Sequence, residues 1–132
     1  QNIVPSTTGA AEATARVIPE MKGKFDGISV RVPVAIVSLS DITLITQRPT
    51  NVEEINNIFK EEANSSQWKE VIKVIEDPVV SSDIIGEPYG AVIDLTLTKV
   101  VDGDLVKVFS WYDNEWGYCA MLIKHLEALF KD

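Results

Sequence analysis

The chain has 132 residues, 45% of them hydrophobic and 24% charged, and a formal net charge of −8. That is one domain's worth of chain, long enough to bury a core of its own, with an ordinary soluble balance. The acidic excess excludes a nucleic-acid or anionic-membrane surface, because phosphate backbones call for clustered Lys and Arg, and the densest basic pair here is Lys22 and Lys24.

A lone cysteine, Cys119, excludes an intramolecular disulfide or a multi-Cys zinc site and fits a reducing compartment. No apolar run approaches membrane-spanning length and no secretory leader is visible. Gln1-Asn2-Ile3-Val4 reads like the interior of a longer protein.

In chain order, Ser6-Thr7-Thr8-Gly9-Ala10-Ala11 predicts a helix start, with hydroxyl caps ahead of small helix formers. Ala10, Ala13, Val17, Ile18 and Met21 fall at helical spacing, Pro19 interrupts the run and Gly23 closes it. Free N–H groups at such a start make an anion site, although a capped helix in a tight core needs the same residues. Gly27 to Pro33 alternates as a strand. Its Arg31 is either a surface residue or a guanidinium aimed at a phosphate or carboxylate. Val34 to Thr46 reads as one long strand, apolar on both faces and therefore central or covered.

Thr50 and Glu53 have capping-box spacing for a surface helix with Val52, Ile55, Ile58 and Phe59 as its apolar stripe. A shorter helical piece is expected around Trp68, Val71 and Ile72, then a short strand over Lys73 to Asp77 and a loop over Gly86 to Gly90. Ala91 to Val101, the turn Asp102-Gly103, and Leu105 to Phe109 predict an antiparallel hairpin. A final helix is expected to start near Asp113 or Asn114, lined on one side by Tyr118, Met121, Leu122, Leu126 and Leu129. That side either packs in the domain or docks on a partner domain. His125 has no second ligand-type residue on its face of the helix and reads as structural or surface.

The hairpin leads into Ser110-Trp111-Tyr112-Asp113-Asn114-Glu115-Trp116-Gly117-Tyr118. Turns are ordinarily built from small residues; two Trp and two Tyr here mean large apolar surfaces around fixed polar tips, as a wall facing a ligand or partner needs. A core-anchoring corner with no ligand would look the same in composition. The elements together predict an α+β domain: a mixed, largely antiparallel sheet with helices packed on one face.

Asn2-Ile3-Val4-Pro5-Ser6-Thr7-Thr8-Gly9-Ala10-Ala11, Gly27 through Arg31-Val32-Pro33, Val37-Ser38-Leu39-Ser40-Asp41, Val80-Ser81-Ser82-Asp83 and the aromatic nonapeptide occur in a familiar order. The chain closely resembles the C-terminal part of the catalytic domain of phosphorylating glyceraldehyde-3-phosphate dehydrogenase, over essentially all 132 residues. The sister family acting on erythrose 4-phosphate is similar here.

That resemblance implies substrate-side roles for Thr8, Gly9 and Arg31 at phosphate sites. It implies cofactor-side roles for Asn114, on the nicotinamide carboxamide of NAD, and for Tyr118 beside that ring. It also implies a cytoplasmic glycolytic homo-oligomer acting on glyceraldehyde 3-phosphate and inorganic phosphate. In the family the nucleophilic Cys and its partner His precede the Asn-Ile-Val-Pro stretch. Neither Cys119 nor His125 matches them, so no catalytic residue is expected in this chain. No G-x-G-x-x-G occurs, and the dinucleotide-binding domain is expected to be absent. Cys119-Ala120-Met121 stands where the family commonly carries a polar pair ending in Arg, and Tyr89-Gly90 where a serine pair is common. The competing expectation is a stand-alone, non-catalytic binding or oligomerisation module derived from this fold.

Overall fold

In the computed structural model, which describes residues 1–130, the chain falls into two units, Gln1–Ala35 and Ile36–Asp132. The first unit is a two-stranded ribbon with a helix between its strands. β1 (Val4–Thr7) pairs antiparallel with β2 (Ile28–Arg31), Val4 opposite Arg31 and Thr7 opposite Ile28. Between them, α1 (Ala10–Val17) gives way to a 3-10 turn at Pro19–Met21, because Pro19 has no N–H to continue the helix. Gly23, at φ +73°, makes the left-handed turn back toward β2. The half-buried side of α1 carries Ala11, Thr14 and Ala15, whereas Ala13 and Val17 of the expected face are exposed.

The second unit contains a five-stranded mixed sheet. β3 (Ser38–Ile45), β4 (Ile72–Ile75), β5 (Ala91–Asp94), β6 (Lys99–Val101) and β7 (Leu105–Tyr112) lie in the order β3-β7-β5-β4, with β6 also on β7. Among the described residues only the β4–β5 pair is parallel; β7 pairs antiparallel with β3, β5 and β6. The expected α+β class with a largely antiparallel mixed sheet is therefore found. Val106, Val108, Ile93 and Ser110 are buried on one face, while Val92 and Trp111, opposite each other in register, pack on the other face with Val37 and Ile84.

Three expectations need correcting. The strand expected over Val34 to Thr46 begins only at Ser38, because Val37 takes the left-handed conformation at φ 79° and breaks the extended run. It is also an edge strand, bonded to β7 alone, with Leu39 and Ile45 exposed. The hairpin's first strand is likewise interrupted. Asp94 caps a 3-10 turn over Leu95–Leu97, accepting from the Thr96 N–H and hydroxyl. Ile93 faces Ser110 but Lys99 faces Lys107: six residues advance on one strand (93 to 99) against three on the other (110 to 107). The three extra residues are the turn itself, so β5 and β6 share one partner strand on either side of a large bulge. The piece around Trp68 forms turns, not a helix. There the Ser65 hydroxyl accepts from the Trp68 N–H, a local bond that competes with helix formation.

α2 (Val52–Ala63) contacts β4, and its Asn56 Nδ2 donates to the Leu95 carbonyl at 3.2 Å. Ile55 and Phe59 are half-buried but Val52 and Ile58 are exposed, so the inward face is narrower than the expected stripe. The cap also moves by one residue. Asn51 Oδ1 accepts from the Glu54 N–H at 2.9 Å, and the Thr50 hydroxyl donates to the Glu54 carboxylate. α3 (Trp116–Leu129) follows β7. Among the described residues no helix is long and apolar enough to cross a membrane.

Replacing the cap tests this assignment. Asn51→Ala is expected to cost about 1 kcal/mol in urea unfolding, with Thr50→Ala costing less; the reverse order would restore Thr50 as the cap.

Candidate functional site

In the first unit, Thr8 and Gly9 join β1 to α1. The Thr8 hydroxyl accepts from the Ala10 N–H at 3.2 Å, and the Gly9 carbonyl accepts the first helical bond, from Ala13 N–H at 2.9 Å. Gly9, which is exposed, is the cap residue of α1 and no side chain caps the helix; the Thr8 hydroxyl engages the Ala10 N–H alone. The expected anion site keeps fewer free N–H groups than a bare helix start, and Glu12 in the first turn, paired with Arg16 at 2.5 Å, adds negative charge there. Arg31 is exposed and lies opposite Val4. Its Cα level is three residues along the ribbon from Thr7, about 10 Å at the usual rise per residue. Backbone register places Arg31 at the far end of the ribbon from Thr8 and Gly9, so only its long side chain can narrow the gap.

In the second unit the end of β7 is pinned from below and beyond. Trp111 Nε1 donates to Asp94 Oδ2 at 3.1 Å, which gives the half-buried indole a partner for its N–H. Asp113, 1% exposed, accepts from three backbone N–H groups: Gly86 at 2.8 Å, Glu115 at 2.9 Å and Trp116 at 2.8 Å. The carboxylate is simultaneously the cap of α3 and the clamp on the Gly86 loop. Burial pushes its pKa up, and the three N–H donors more than reverse this, leaving the carboxyl below its ordinary value.

The helix approaches that loop closely because residue 117 has no side chain. A Cβ on Gly117 would lie 2.8 Å from the Tyr89 carbonyl oxygen and 3.2 Å from that of Glu87. This contact decides which face of α3 turns inward. Gly117 is buried and Ala120, Met121 and Lys124 are half-buried, whereas Tyr118, Leu122, Leu126 and Leu129 of the expected side are exposed.

Between the loop, the end of β7 and α3 lies a cleft of about 200 Å³ lined by Tyr89, Gly90, Tyr112, Asp113, Asn114, Gly117, Tyr118 and Met121. Asn114 and Tyr118, singled out in the sequence, therefore share one cavity. Asn114 Oδ1 accepts from the Ser38 hydroxyl at 3.3 Å, so Nδ2 is the end of the amide left to donate. Tyr118 is 66% exposed, with its ring available beside the cleft.

Residues 1–114 match the family described as glyceraldehyde 3-phosphate dehydrogenase, C-terminal domain. The chain belongs to that family. It is 47% identical to a glyceraldehyde-3-phosphate dehydrogenase of Streptomyces coelicolor over 123 residues, covering 93% of this chain and 37% of the relative. It is 47% identical to that of Clostridium pasteurianum over 133 residues, covering 98% and 38%. A Synechocystis glyceraldehyde-3-phosphate dehydrogenase 2 is 44% identical, covering 99% and 39%. The chain thus spans under two-fifths of the length of these curated relatives.

Within this glyceraldehyde-3-phosphate dehydrogenase domain, sequence reasoning passed over Asp113, Gly117 and Ser38. An Asp just before a helix is a visible capping signal that the expected start near Asp113 or Asn114 did not use; α3 begins at Trp116. The bond of Asp113 to Gly86, 27 residues away, has no local signal, and neither does the close approach at Gly117.

Asp113→Ala is expected to cost about 1–2 kcal/mol in chemical unfolding, since it removes the buried acceptor of three backbone N–H groups; Asp113→Asn should cost less. Because the folded pKa is depressed, the carboxylate's contribution is present above the unfolded value of about 3.9 and is lost as pH falls through the lower folded value. Unfolding curves between about pH 5 and pH 2 should show this acid limb in the parent and a shallower one in Asp113→Asn. Gly117→Ala is expected to lower stability by about 1–3 kcal/mol, because backbone must give way; an unchanged melting temperature would contradict the close contact.

Proposed function

We propose that this chain is the portion of an NAD-dependent phosphorylating glyceraldehyde-3-phosphate dehydrogenase that supplies phosphate-side and nicotinamide-side groups, without the nucleophilic Cys or the base His. The observation that carries this reading is the cleft shared by Asn114 and Tyr118 in a chain of that family. Asn114 Nδ2 donates to the carboxamide oxygen of a nicotinamide, and Tyr118 flanks the ring. Bound NAD supplies the hydride acceptor, and the protein orients it. Thr8, Gly9 and Arg31 contribute to holding the phosphates of glyceraldehyde 3-phosphate and inorganic phosphate, or those of erythrose 4-phosphate. A cytoplasmic, glycolytic, homo-oligomeric parent belongs to the same reading.

The chain's own chemistry supports the absence of turnover. Its only Cys and only His, Cys119 and His125, are both exposed on α3, six residues apart. That spacing is about 9 Å along the axis and points the two side chains in different directions, so they are not a thiolate–imidazole pair. The purified chain, given NAD, glyceraldehyde 3-phosphate and phosphate, is expected to form no NADH. Sustained NADH formation, proportional to chain and resistant to further purification, would overturn this.

A second reading, a stand-alone non-catalytic binding or oligomerisation module, draws on the exposed apolar residues Tyr118, Leu122, Leu126 and Leu129 of α3. Titration with inorganic phosphate separates the two. Saturable millimolar binding that disappears in Arg31→Ala favours the dehydrogenase reading; no binding, together with concentration-dependent sedimentation, favours the module.

A further inference from the structure

We infer that Lys73 is a positioning residue for the Tyr89 wall of the cleft, orienting that ring through its ammonium; the inference rests on the nicotinamide reading above. Register makes the lysine conspicuous. Lys73 of β4 lies opposite Val92, and Val92 lies opposite Trp111. Residues opposite each other in a sheet share a face, so Lys73 stands on the face that carries Val92 and its partners Val37 and Ile84. Ile75, two residues along the same strand, packs there as an inward position should. A lysine on such a face is uncommon. Stability gives no reason for one, since apolar replacements of inward ion pairs are commonly neutral or stabilising.

The ammonium has two neighbours, both on the loop that borders the cleft. Lys73 Nζ donates to Glu87 Oε1 at 2.6 Å and lies 5.8 Å from the centroid of the Tyr89 ring, within reach of a cation–π contact. The paired side chains of Lys73 and Glu87 are 38% and 22% exposed, so salt screens them less than a free surface pair. The loop backbone is anchored independently. Asp113 accepts from the Gly86 N–H, and the Val71 carbonyl accepts from the N–H groups of Gly90 and Ala91. Those anchors leave the side-chain torsions of Tyr89 unset. The core cluster packs against Tyr89, but apolar packing is non-directional, whereas a cation prefers the face of a ring. Lys73 therefore supplies the directional contact, and it does so from a strand of the sheet. Glu87 fixes the ammonium, the ammonium fixes the ring, and the ring lines the cleft.

The experiment uses the 132-residue chain, labelled with ¹³C at tyrosine rings and methyl groups, as the parent and as Lys73→Met, Lys73→Arg, Tyr89→Leu and Asn114→Ala. The first readout is cross-relaxation from the Tyr89 ring to the methyl groups of Val37, Ile84 and Val92. It reports ring geometry, whereas ring shifts alone would change with the charge. Lys73→Met keeps an unbranched stem and removes the ammonium. It should redistribute those cross-peaks while leaving the melting temperature unchanged. Lys73→Arg, which also pairs with a carboxylate and stacks on a ring, should restore them. The second readout is titration with nicotinamide. Lys73→Met should weaken it about twofold to fivefold, the range of an exposed cation–π contact, with recovery in Lys73→Arg. An unchanged cross-peak pattern in Lys73→Met overturns the inference, whatever the binding does. So does a fall in melting temperature that Lys73→Arg leaves unrepaired, because that is a loss of structure and not of orientation. Nicotinamide binding that falls in Tyr89→Leu and Asn114→Ala but not in Lys73→Met also overturns it, and the cleft reading then stands. If the cross-peaks respond but no variant changes nicotinamide binding, positioning is upheld and the nicotinamide reading falls.

Discussion

One buried carboxylate holds the second unit's cleft together. Asp113 accepts from three backbone N–H groups that belong to two separate pieces of chain, the Gly86 loop and the first turn of α3. Each donor lies at a loop or helix end that has no backbone partner of its own, and the buried carboxylate in turn needs these donors to stay charged. Because both oxygens are used, the end of β7, the loop and the helix cannot move independently. The cleft walls inherit that rigidity: Tyr89 follows the loop, Tyr112 precedes Asp113, and Tyr118 and Met121 ride on α3. Asp94 repeats the device one layer deeper, where a carboxylate 2% exposed fixes Trp111 and the 3-10 turn together.

Much of this was legible in sequence, for reasons that differ by residue. Alternation marked β2 and the run that became β5 and β6, capping chemistry marked the starts of α1 and α2 to within a few residues, and the unusual aromatic turn singled out the cleft; β1 was missed, since Ser6 and Thr7 read as the start of α1 but end a strand. What stayed hidden depends on partners far along the chain. Asp94 stops its strand by bonding the Thr96 N–H and hydroxyl two residues on, a local signal that the alternation outweighed; its second partner, Trp111, is 17 residues on and has no local signal. Val37 is a strong strand former that tertiary packing forces into a left-handed turn. Gly117 reads as a weak helix residue until the Tyr89 carbonyl arrives beside it. The inward face of α3 went unread for the same reason, because a glycine contact outranks an apolar stripe.

The uncovered apolar residues carry a separate message. Leu39 and Ile45 on β3, and Tyr118, Leu122, Leu126 and Leu129 on α3, are all exposed, whereas buried apolar residues of the second unit are mostly valines and isoleucines at the middle of the sheet. A chain that spans under two-fifths of its relatives' length presents surfaces that neither unit covers for itself. Exposed edges of this kind invite pairing with other chains.

The pairing of β3 with β7 has a consequence for biosynthesis. Ser38 must find Tyr112 and Ile45 must find Leu105, separations of 74 (112 − 38) and 60 (105 − 45) residues. During translation β3 therefore emerges long before its only sheet partner, carrying an unpaired backbone edge with Leu39, Leu44 and Ile45 upon it. Loop closure over such distances is paid in chain entropy before any contact compensates. The corner where β3, β7 and α3 meet is consequently the last part of the second unit able to assemble on a ribosome. Until then that unpaired apolar edge is open to association with other chains.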